Sequence, residues 1–198
     1  GKTMVKEWLY SILSTENNVI RSPKSYNSQL GVPLSLLQIK KATDFAIIEV
    51  GISKSGEMQK IFNLLSPDYT ICTSFYPEDD LLRKGLNDEF LKLFYNVKKG
   101  VLYSEFSHGF PDEKIDIVTR NEKEFASFLK NTNKEPILKR NAMIAAQAAL
   151  TIGLEKEKIA EALTTLPNLA MRLETYEGIN SSLIINDTYN LDLNALSH

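Results

Sequence analysis

The amino-acid sequence predicts an α/β fold in which a mostly parallel sheet is flanked by helices. Short apolar runs alternate with longer segments whose apolar residues recur at helical spacing, through most of the 198 residues. One run, Asp44–Val50, is almost continuously apolar, which is typical of a buried parallel strand. At the N-terminus, Gly1-Lys2-Thr3 directly precedes a helix-like segment. These three observations carry the predicted fold class.

Composition and charge exclude several classes of protein. The net charge of −2 and the pI near 5.8 give no electrostatic signal for binding nucleic acid or an anionic membrane. No apolar run approaches the roughly 20 residues of a membrane span, and the first residues do not resemble a signal peptide. Cys72 is the one cysteine, so an internal disulfide is excluded, and a buried structural thiol is predicted. We expect a cytoplasmic protein, with His108 and His198 on its surface.

The first residues match the end of the phosphate-binding motif G-x-x-x-x-G-K-[ST]. In that motif glycine lets backbone N–H groups approach phosphate oxygens, lysine reaches the β- and γ-phosphates, and the hydroxyl binds Mg²⁺. The following helix directs its positive N-terminal end at the anion. The strand and first glycine of the motif are missing, so the chain is expected to begin inside it. The alternative is a chance tripeptide.

The remaining elements follow from periodicity and turn residues. The predicted helices are Met4–Ser14, Val32–Ile39, Glu57–Leu65, Leu81–Asn96, Asn121–Lys130, Asn141–Ile152 and Lys156–Leu163. The predicted strands are Val19–Ile20, Asp44–Val50, Asp68–Thr73, Gly100–Tyr103, Ile115–Val118 and Ser182–Asn186. Gly153 is expected to end a helix. A break near Leu166–Arg172 predicts a domain boundary, after which about 30 residues are too few to fold alone.

Two polar features are candidates for a functional role. The segment 21–29 is rich in Ser, Asn and Gln, which favours a solvated connection, although the same donors with Arg21 and Lys24 suit an anionic, amide-rich ligand. Glu49 lies at the C-terminal end of a predicted parallel strand, where α/β sheets bind ligands. Its carboxylate suits Mg²⁺. The alternative is a strand-end carboxylate held by a neighbouring N–H group.

Five segments carry a resemblance to a known family. They are GKTMVKEWLY, RSPKSYNSQLGVPLSLL, AIIEVGISKSGEM, AMRLE and LIINDTYNLDLNAL. In this order they resemble the Mur ligases, the ATP-dependent amide-forming enzymes of peptidoglycan assembly, and within them the type that adds D-alanyl-D-alanine to UDP-N-acetylmuramoyl-tripeptide. RSPKSYNSQLGVPLS resembles the form fused ahead of an alanine racemase in Bacteroidetes-type bacteria. The YNSQLG and NDTYN segments argue against a related folylpolyglutamate synthase.

The resemblance implies a domain plan and a reaction. Residues 1–168 would be a P-loop NTPase-like central ATP-binding domain, truncated within the P-loop, and 169–198 the linker and first strand of an incomplete C-terminal domain. ATP would phosphorylate the terminal carboxylate of the UDP-linked tripeptide, and the amine of D-Ala-D-Ala would attack the acyl phosphate. Without the other domains, the 198-residue chain is expected to be inactive.

The resemblance also implies site residues. The residues with catalytic roles would be Lys2, Glu49 and Arg172, and those that bind Mg²⁺ would be Thr3 and Glu49. ATP would be contacted by Gly1, Lys2, Thr3, Asn141 (at the adenine), Arg172 (at the phosphates) and Asp187 (at the ribose). Asn27 and Ser28 would lie on the substrate side. Several have structural alternatives. Asn141 would serve equally as a helix N-cap, Arg172 as the partner of Glu174 in a surface ion pair, and Asp187 as a turn residue.

The chain also departs from the family pattern. The family has a histidine that supports a second metal, where this chain has 74–80 (SFYPEDD) without one. A lysine that bridges the metals aligns with Phe90, with Lys92 two positions on. Glu78, Asp79 or Asp80 would have to replace the histidine. These departures favour an alternative, a non-catalytic Mur-like scaffold or nucleotide-binding module associated with an alanine racemase.

Overall fold

A computed structural model describes residues 1–52, 54, 56–73, 94, 97–103, 115–118 and 136–189. The chain divides into two compact units, Gly1–Thr165 and Leu166–His198. The predicted helix Asn121–Lys130, most of the predicted helix Leu81–Asn96 and the departures at 74–80, Phe90 and Lys92 lie outside the described residues. His108 and His198 lie outside them too.

The described part of the first unit alternates strands and helices. The helices are α1 (Lys2–Leu13), α2 (Gly31–Leu36), α3 (Glu57–Leu65), α4 (Pro136–Ile152) and α5 (Lys156–Thr164). The strands are β1 (Val19–Arg21), β2 (Phe45–Ile47), β3 (Tyr69–Cys72), β4 (Lys99–Leu102) and β5 (Ile115–Ile117). β1 pairs with β2 in parallel, and β4 lies between β3 and β5, parallel to both. The predicted α/β class with parallel strands is confirmed.

The predicted burial of β2 is wrong. Ala46 is exposed, and Phe45 and Ile47 are only half-buried. Within the described ranges β2 has one strand partner, β1, so its apolar run is not enclosed on both sides. Glu49, two residues after the strand, is more deeply buried than the strand itself. The apolar run therefore predicts the presence of the strand correctly, but not the degree to which its side chains are buried.

The core of the first unit forms around α1. This helix packs against α4, α5 and β1. Its apolar stripe is buried as its helical spacing predicts, through Val5, Trp8, Leu9, Ile12 and Leu13. The facing helix α4 buries a series of small side chains, Ala142, Ala145, Ala146, Ala148 and Ala149. Small residues let two helices approach closely, so the large side chains of α1 fit against α4.

Gly153 ends α4 as its sequence predicts. Its φ of +111° lies in the region that favours glycine. The N–H groups of Gly153 and Leu154 both donate to the carbonyl of Ala149, at 3.2 and 3.0 Å. Lys156 then begins α5, which turns back to pack against both α4 and α1.

Gly100 in β4 has no room for a side chain. A Cβ atom there would lie 2.4 Å from Cδ1 of Phe94, whose ring is 1% exposed. We expect Gly100→Ala to lower the free energy of unfolding by about 1–3 kcal/mol, measured by urea denaturation, because the enclosed ring cannot move aside freely. Adding Phe94→Leu should recover part of that loss, and a double variant no better than the sum of the two single ones would contradict this packing.

The second unit contains an antiparallel strand pair. β6 (Glu174–Glu177) pairs with β7 (Leu183–Asn186), and a 3₁₀ turn at Ile179–Ser181 lies between them. β7 was predicted from its apolar residues, whereas β6 was missed because its sequence, ETYE, has charged residues at both ends. None of the helices in the described ranges is long and apolar enough to cross a membrane.

Candidate functional site

Three predicted site residues meet where α1 begins and β2 ends. Thr3 Oγ1 donates a hydrogen bond to Glu49 Oε1 at 3.0 Å, and Asn27 Nδ2 donates to the same oxygen at 2.9 Å. Glu49 is 5% exposed. Its carboxylate is therefore held by two side chains from distant parts of the sequence, and not by a neighbouring N–H group as the structural alternative proposed.

The second oxygen of Glu49 is available to a ligand. Glu49 Oε2 is buried and has no hydrogen-bond partner among the described residues. Lys6 Nζ lies 3.5 Å away, close enough for an ion pair but beyond ordinary N–H···O hydrogen-bond lengths. Leaving a buried carboxylate oxygen without such a bond is costly, so the oxygen points to a partner that the described residues do not supply.

The donor set of this site fits Mg²⁺. Glu49 Oε2 and the hydroxyl of Thr3 are hard oxygen ligands, which this ion prefers. Within the ranges that the structure covers, no group of three or more His, Cys, Asp or Glu residues is placed to hold a metal. A site with one carboxylate suits Mg²⁺, which usually keeps several waters and takes further oxygens from substrate phosphates.

Lys6 belongs to this site, although the sequence alone did not predict it. It lies in α1, is 4% exposed, and its Nζ donates to the backbone carbonyl of Ser22 at 2.8 Å and to that of Lys24. Its ammonium also lies 3.1 Å from Glu7 Oε1. The available signal was a polar stripe on α1, since Thr3, Glu7 and Tyr10 recur at helical spacing beside the apolar stripe.

This polar stripe contacts β1 as well. Arg21 Nε donates to Glu7 Oε2 at 2.7 Å, and the Arg21 guanidinium lies 3.6 Å from the centre of the Tyr10 ring. Arg21 therefore holds Glu7, and Glu7 lies against Lys6. The charges form a continuous series from the surface of α1 to the buried carboxylate of Glu49.

The segment 21–29 is partly a solvated connection and partly a wall of the site. Lys24 and Ser28 are exposed, as that interpretation predicts. Ser22 is fully buried, however, and its Oγ accepts a hydrogen bond from the backbone N–H of Glu49 at 2.9 Å. Ser25 Oγ lies 3.3 Å from Thr3 Oγ1. The segment thus helps to fix the position of Glu49 through the hydroxyl of Ser22 and the side-chain amide of Asn27.

A cavity of about 280 Å³ lies beside these residues. Its lining is formed by Asn27, Ser28, Gln29, Gly51, Ile52 and Glu57. Gly51 donates its N–H to the carbonyl of Asn27 at 2.8 Å, which holds the two walls together. Asn27 and Ser28, predicted on the substrate side, therefore both face this cavity, and Asn27 also contacts Glu49.

Gly1 and Asn141 lie together at the start of α1. Gly1 is the N-cap of α1, and Lys2, its first residue, is exposed. Asn141 is 5% exposed and donates from Nδ2 to Met4 Sδ at 3.3 Å. A Cβ atom on Gly1 would lie 3.0 Å from Asn141 Oδ1. The alternative role of Asn141 as a helix N-cap is wrong, because α4 begins at Pro136.

Arg172 and Asp187 belong to the second unit. The Arg172 guanidinium lies 4.1 Å from the centre of the Tyr189 ring, and Asp187 Oδ1 accepts a hydrogen bond from the N–H of Leu173 at 3.2 Å. Glu174, the alternative partner of Arg172, accepts from the N–H of Met171 at 2.9 Å. Hydrogen bonds from the Tyr176 hydroxyl and from Met171 hold the pKa of Glu174 below its usual range.

Comparison with known proteins gives one consistent family. Residues 1–80 match the Mur ligase middle domain. The UDP-N-acetylmuramoyl-tripeptide–D-alanyl-D-alanine ligase of Bacillus subtilis is 28% identical over 220 aligned residues, covering 96% of this chain and 48% of that protein. The chain therefore spans about half the length of this relative.

Solved structures agree on the fold. MurF from Acinetobacter baumannii superposes with a TM-score of 0.76 at 20% identity, over 100% of this chain and 50% of that one. MurF from Thermotoga maritima, solved in complex with ADP, gives a TM-score of 0.68 at 18% identity, over 100% and 53% of the two chains. Together with the match of residues 1–80, which includes Thr3, Asn27 and Glu49, these likenesses show that the chain has the fold of the Mur ligases and is similar in sequence to their middle domain.

Proposed function

We propose that the full-length protein carrying this chain is an ATP-dependent ligase of peptidoglycan precursor synthesis that adds D-Ala-D-Ala to UDP-MurNAc-tripeptide. The relatives bear the name of this activity. One observation of the chain itself carries the proposal: the buried Glu49 Oε2, without a hydrogen-bond partner among the described residues, beside the Thr3 hydroxyl at the N-terminus of α1. This is the place where a metal–nucleotide pair would bind.

The nucleotide would bind at the start of α1. Lys2 is exposed there and free to reach phosphate oxygens, and the helix dipole adds positive potential at the same point. Gly1 leaves the backbone open to close approach. Thr3 and Glu49 would hold Mg²⁺, which when bound neutralises charge on the phosphate oxygens. In this proposal Asn141 contacts the adenine, Arg172 the phosphates and Asp187 the ribose.

The acceptor peptide would bind on the side of Asn27 and Ser28. Both line the 280 Å³ cavity, and Asn27 also donates to Glu49. A terminal carboxylate placed there lies next to the proposed phosphate site, so it is close to the γ-phosphate that it attacks. That attack would break the bond to the β-phosphate oxygen, so that ADP leaves and an acyl phosphate forms. The amine of D-Ala-D-Ala would then attack the acyl carbon, and the amide forms as phosphate leaves and the amine loses a proton. Such a reaction depends on positioning and charge neutralisation more than on a protein nucleophile.

The alternative, a non-catalytic scaffold, draws its support from sequence positions outside the described ranges. These are the missing histidine in 74–80 and Phe90 in place of the bridging lysine. The buried Glu49 favours the enzyme, because its Oε2 has no hydrogen-bond partner in the part of the chain that the structure describes, and a metal site would supply one whereas a scaffold would not. A fused alanine racemase, the cytoplasmic location and the assignment of 1–168 and 169–198 to two Mur ligase domains stay predictions.

Calorimetry of ATP–Mg²⁺ binding to the full-length protein tests the proposal. We expect Lys2→Ala to weaken binding by roughly 10- to 100-fold, since a charge-assisted hydrogen bond is worth about 1.5–3 kcal/mol. Lys41→Ala, which removes another exposed lysine of the same unit, is the matched control and should bind like the wild type. If the wild-type protein does not bind ATP–Mg²⁺, the hypothesis that it is an enzyme would be overturned and the scaffold hypothesis supported.

A further inference from the structure

We propose that Lys6 is a positioning residue: it holds the segment 22–25 and the Glu49 carboxylate in the geometry that leaves Glu49 Oε2 open to a divalent cation. The proposal rests on the proposed function in taking Glu49 as the metal ligand. Nothing in the phosphate-binding motif requires a lysine at this point of the helix, because the motif ends at Thr3. The assignment comes from the contacts of Lys6.

Lys6 is buried in an environment built for one ammonium group. Lysine is almost never fully buried unless it is paired, and Lys6 is 4% exposed. Four oxygens converge on its Nζ: the carbonyls of Ser22 and Lys24, Glu7 Oε1 at 3.1 Å and Glu49 Oε2 at 3.5 Å. Two of these are carboxylates and two are backbone carbonyls, so an uncharged side chain of the same length would leave all four without their partner.

The number of donors on Lys6 explains why Glu49 Oε2 accepts no hydrogen bond from any described residue. An ammonium group has three N–H donors. The three nearer oxygens, on Ser22, Lys24 and Glu7, match that number. Glu49 Oε2, at 3.5 Å, is close enough to be stabilised by the positive charge of Lys6 but accepts no hydrogen bond from it. Lys6 therefore offsets the cost of burying the carboxylate while leaving one of its oxygens for a metal ion.

The same lysine ties the metal side of the site to the substrate side. Ser22 is held at both ends, its carbonyl by Lys6 and its hydroxyl by the N–H of Glu49. Ser25 contacts Thr3, and Asn27, two residues further on, donates to Glu49 Oε1. Loosening the hold of Lys6 on Ser22 and Lys24 therefore displaces Asn27 and Glu49 together.

A role in positioning and a role of charge alone predict opposite changes in metal binding. Removing a positive charge near Glu49 would by itself attract a divalent cation more strongly. Losing the geometry would weaken binding, and replacing groups that orient metal ligands typically costs 10- to 100-fold in affinity. We expect the geometric effect to dominate, so that Lys6→Met weakens Mn²⁺ binding by about 10-fold or more.

The experiment compares full-length wild type with Lys6→Met and with Lys60→Met, an exposed lysine of α3, as the matched control. Mn²⁺ binding in the presence of ATP is measured by electron paramagnetic resonance, and amide hydrogen exchange is followed across residues 22–29 and 47–51. We expect weaker Mn²⁺ binding and faster exchange in Lys6→Met only. Equal or tighter Mn²⁺ binding with unchanged exchange would overturn the proposal.

A second variant keeps the test decisive if Lys6→Met fails to fold. It also separates the positioning role of Lys6 from the proposed function of the protein. Lys6→Ala leaves space that propylammonium fits, and this ion should restore slow exchange in 22–29 and part of the Mn²⁺ affinity. No restoration by propylammonium, in a variant that is folded or refolds in its presence, would contradict the role of Lys6. If the wild type itself binds no Mn²⁺, the proposed function fails, while the exchange comparison still decides whether Lys6 positions the segment.

Discussion

Glu49→Gln is expected to lower the rate of D-Ala-D-Ala-dependent phosphate release by the full-length protein by at least about 100-fold. The substitution keeps the size of the side chain and an oxygen able to accept from Thr3 and Asn27. It removes the negative charge that would bind Mg²⁺, and a metal ion that stabilises developing charge supplies several kcal/mol to the transition state. Each 1.4 kcal/mol or so is a tenfold change in rate.

The control for this substitution is Glu161→Gln, which neutralises an exposed glutamate of α5 and should leave the rate unchanged. Folding must be compared as well, since Glu49→Gln leaves Lys6 with Glu7 as its remaining ion-pair partner in the described part of the chain. Fluorescence of Trp8, the one tryptophan of the 198-residue chain, reports on the core of the first unit when it is measured on that chain with and without Glu49→Gln. A folded variant that keeps more than half of the wild-type rate would show that Glu49 is not the metal ligand.

The parts of the site that the sequence predicted are those with a local signal. Thr3 was identified because it follows Gly1-Lys2 at the start of a helix, and Glu49 because a carboxylate at the end of a parallel strand lies at the ligand-binding edge of a sheet. Asn27 came from the resemblance to the Mur ligases. The structure places all three within hydrogen-bond distance of one another through Glu49 Oε1.

Lys6 could not be identified in the same way, because three of its four partners, Ser22, Lys24 and Glu49, are distant in sequence. Helical periodicity places it next to the apolar stripe of α1, but its burial depends on carbonyls of Ser22 and Lys24 that no side-chain pattern encodes. A charged residue is assigned to the surface by default, since lysines are rarely buried. The folded segment 22–25 supplies two of the four oxygens that make burial of the ammonium favourable.

Two predictions about the fold were wrong, each for its own physical reason. The apolar run of β2 was interpreted as a buried strand, but burial depends on what covers the strand and not on its composition. The start of α4 was placed at Asn141, where an N-cap residue stands, whereas the helix begins at Pro136. Proline is common at the first position of a helix, so Pro136 was the better signal for that boundary.

Trp8→Ala is expected to lower the free energy of unfolding of the chain by about 3–5 kcal/mol, the usual range for deleting a large buried aromatic side chain. Trp8 is 1% exposed at the centre of α1, the helix that packs against α4, α5 and β1. The cavity left behind cannot close easily, because five of the residues that α4 buries are alanines, whose short side chains cannot fill it. Urea denaturation followed by far-UV circular dichroism measures the change, since the variant retains no tryptophan.

Leu37→Ala is the matched control for this substitution, because it also removes an apolar side chain but from a position that is 80% exposed. Its effect should stay within about 0.5 kcal/mol, as for most surface changes. A cost below about 1 kcal/mol for Trp8→Ala would contradict a close-packed core around α1. If Leu37→Ala lowers the free energy of unfolding as much as Trp8→Ala does, Leu37 would have to be buried in the protein, contrary to the structure. The difference between the two variants therefore tests the packing of the helix that carries Thr3 and Lys6, independently of any activity.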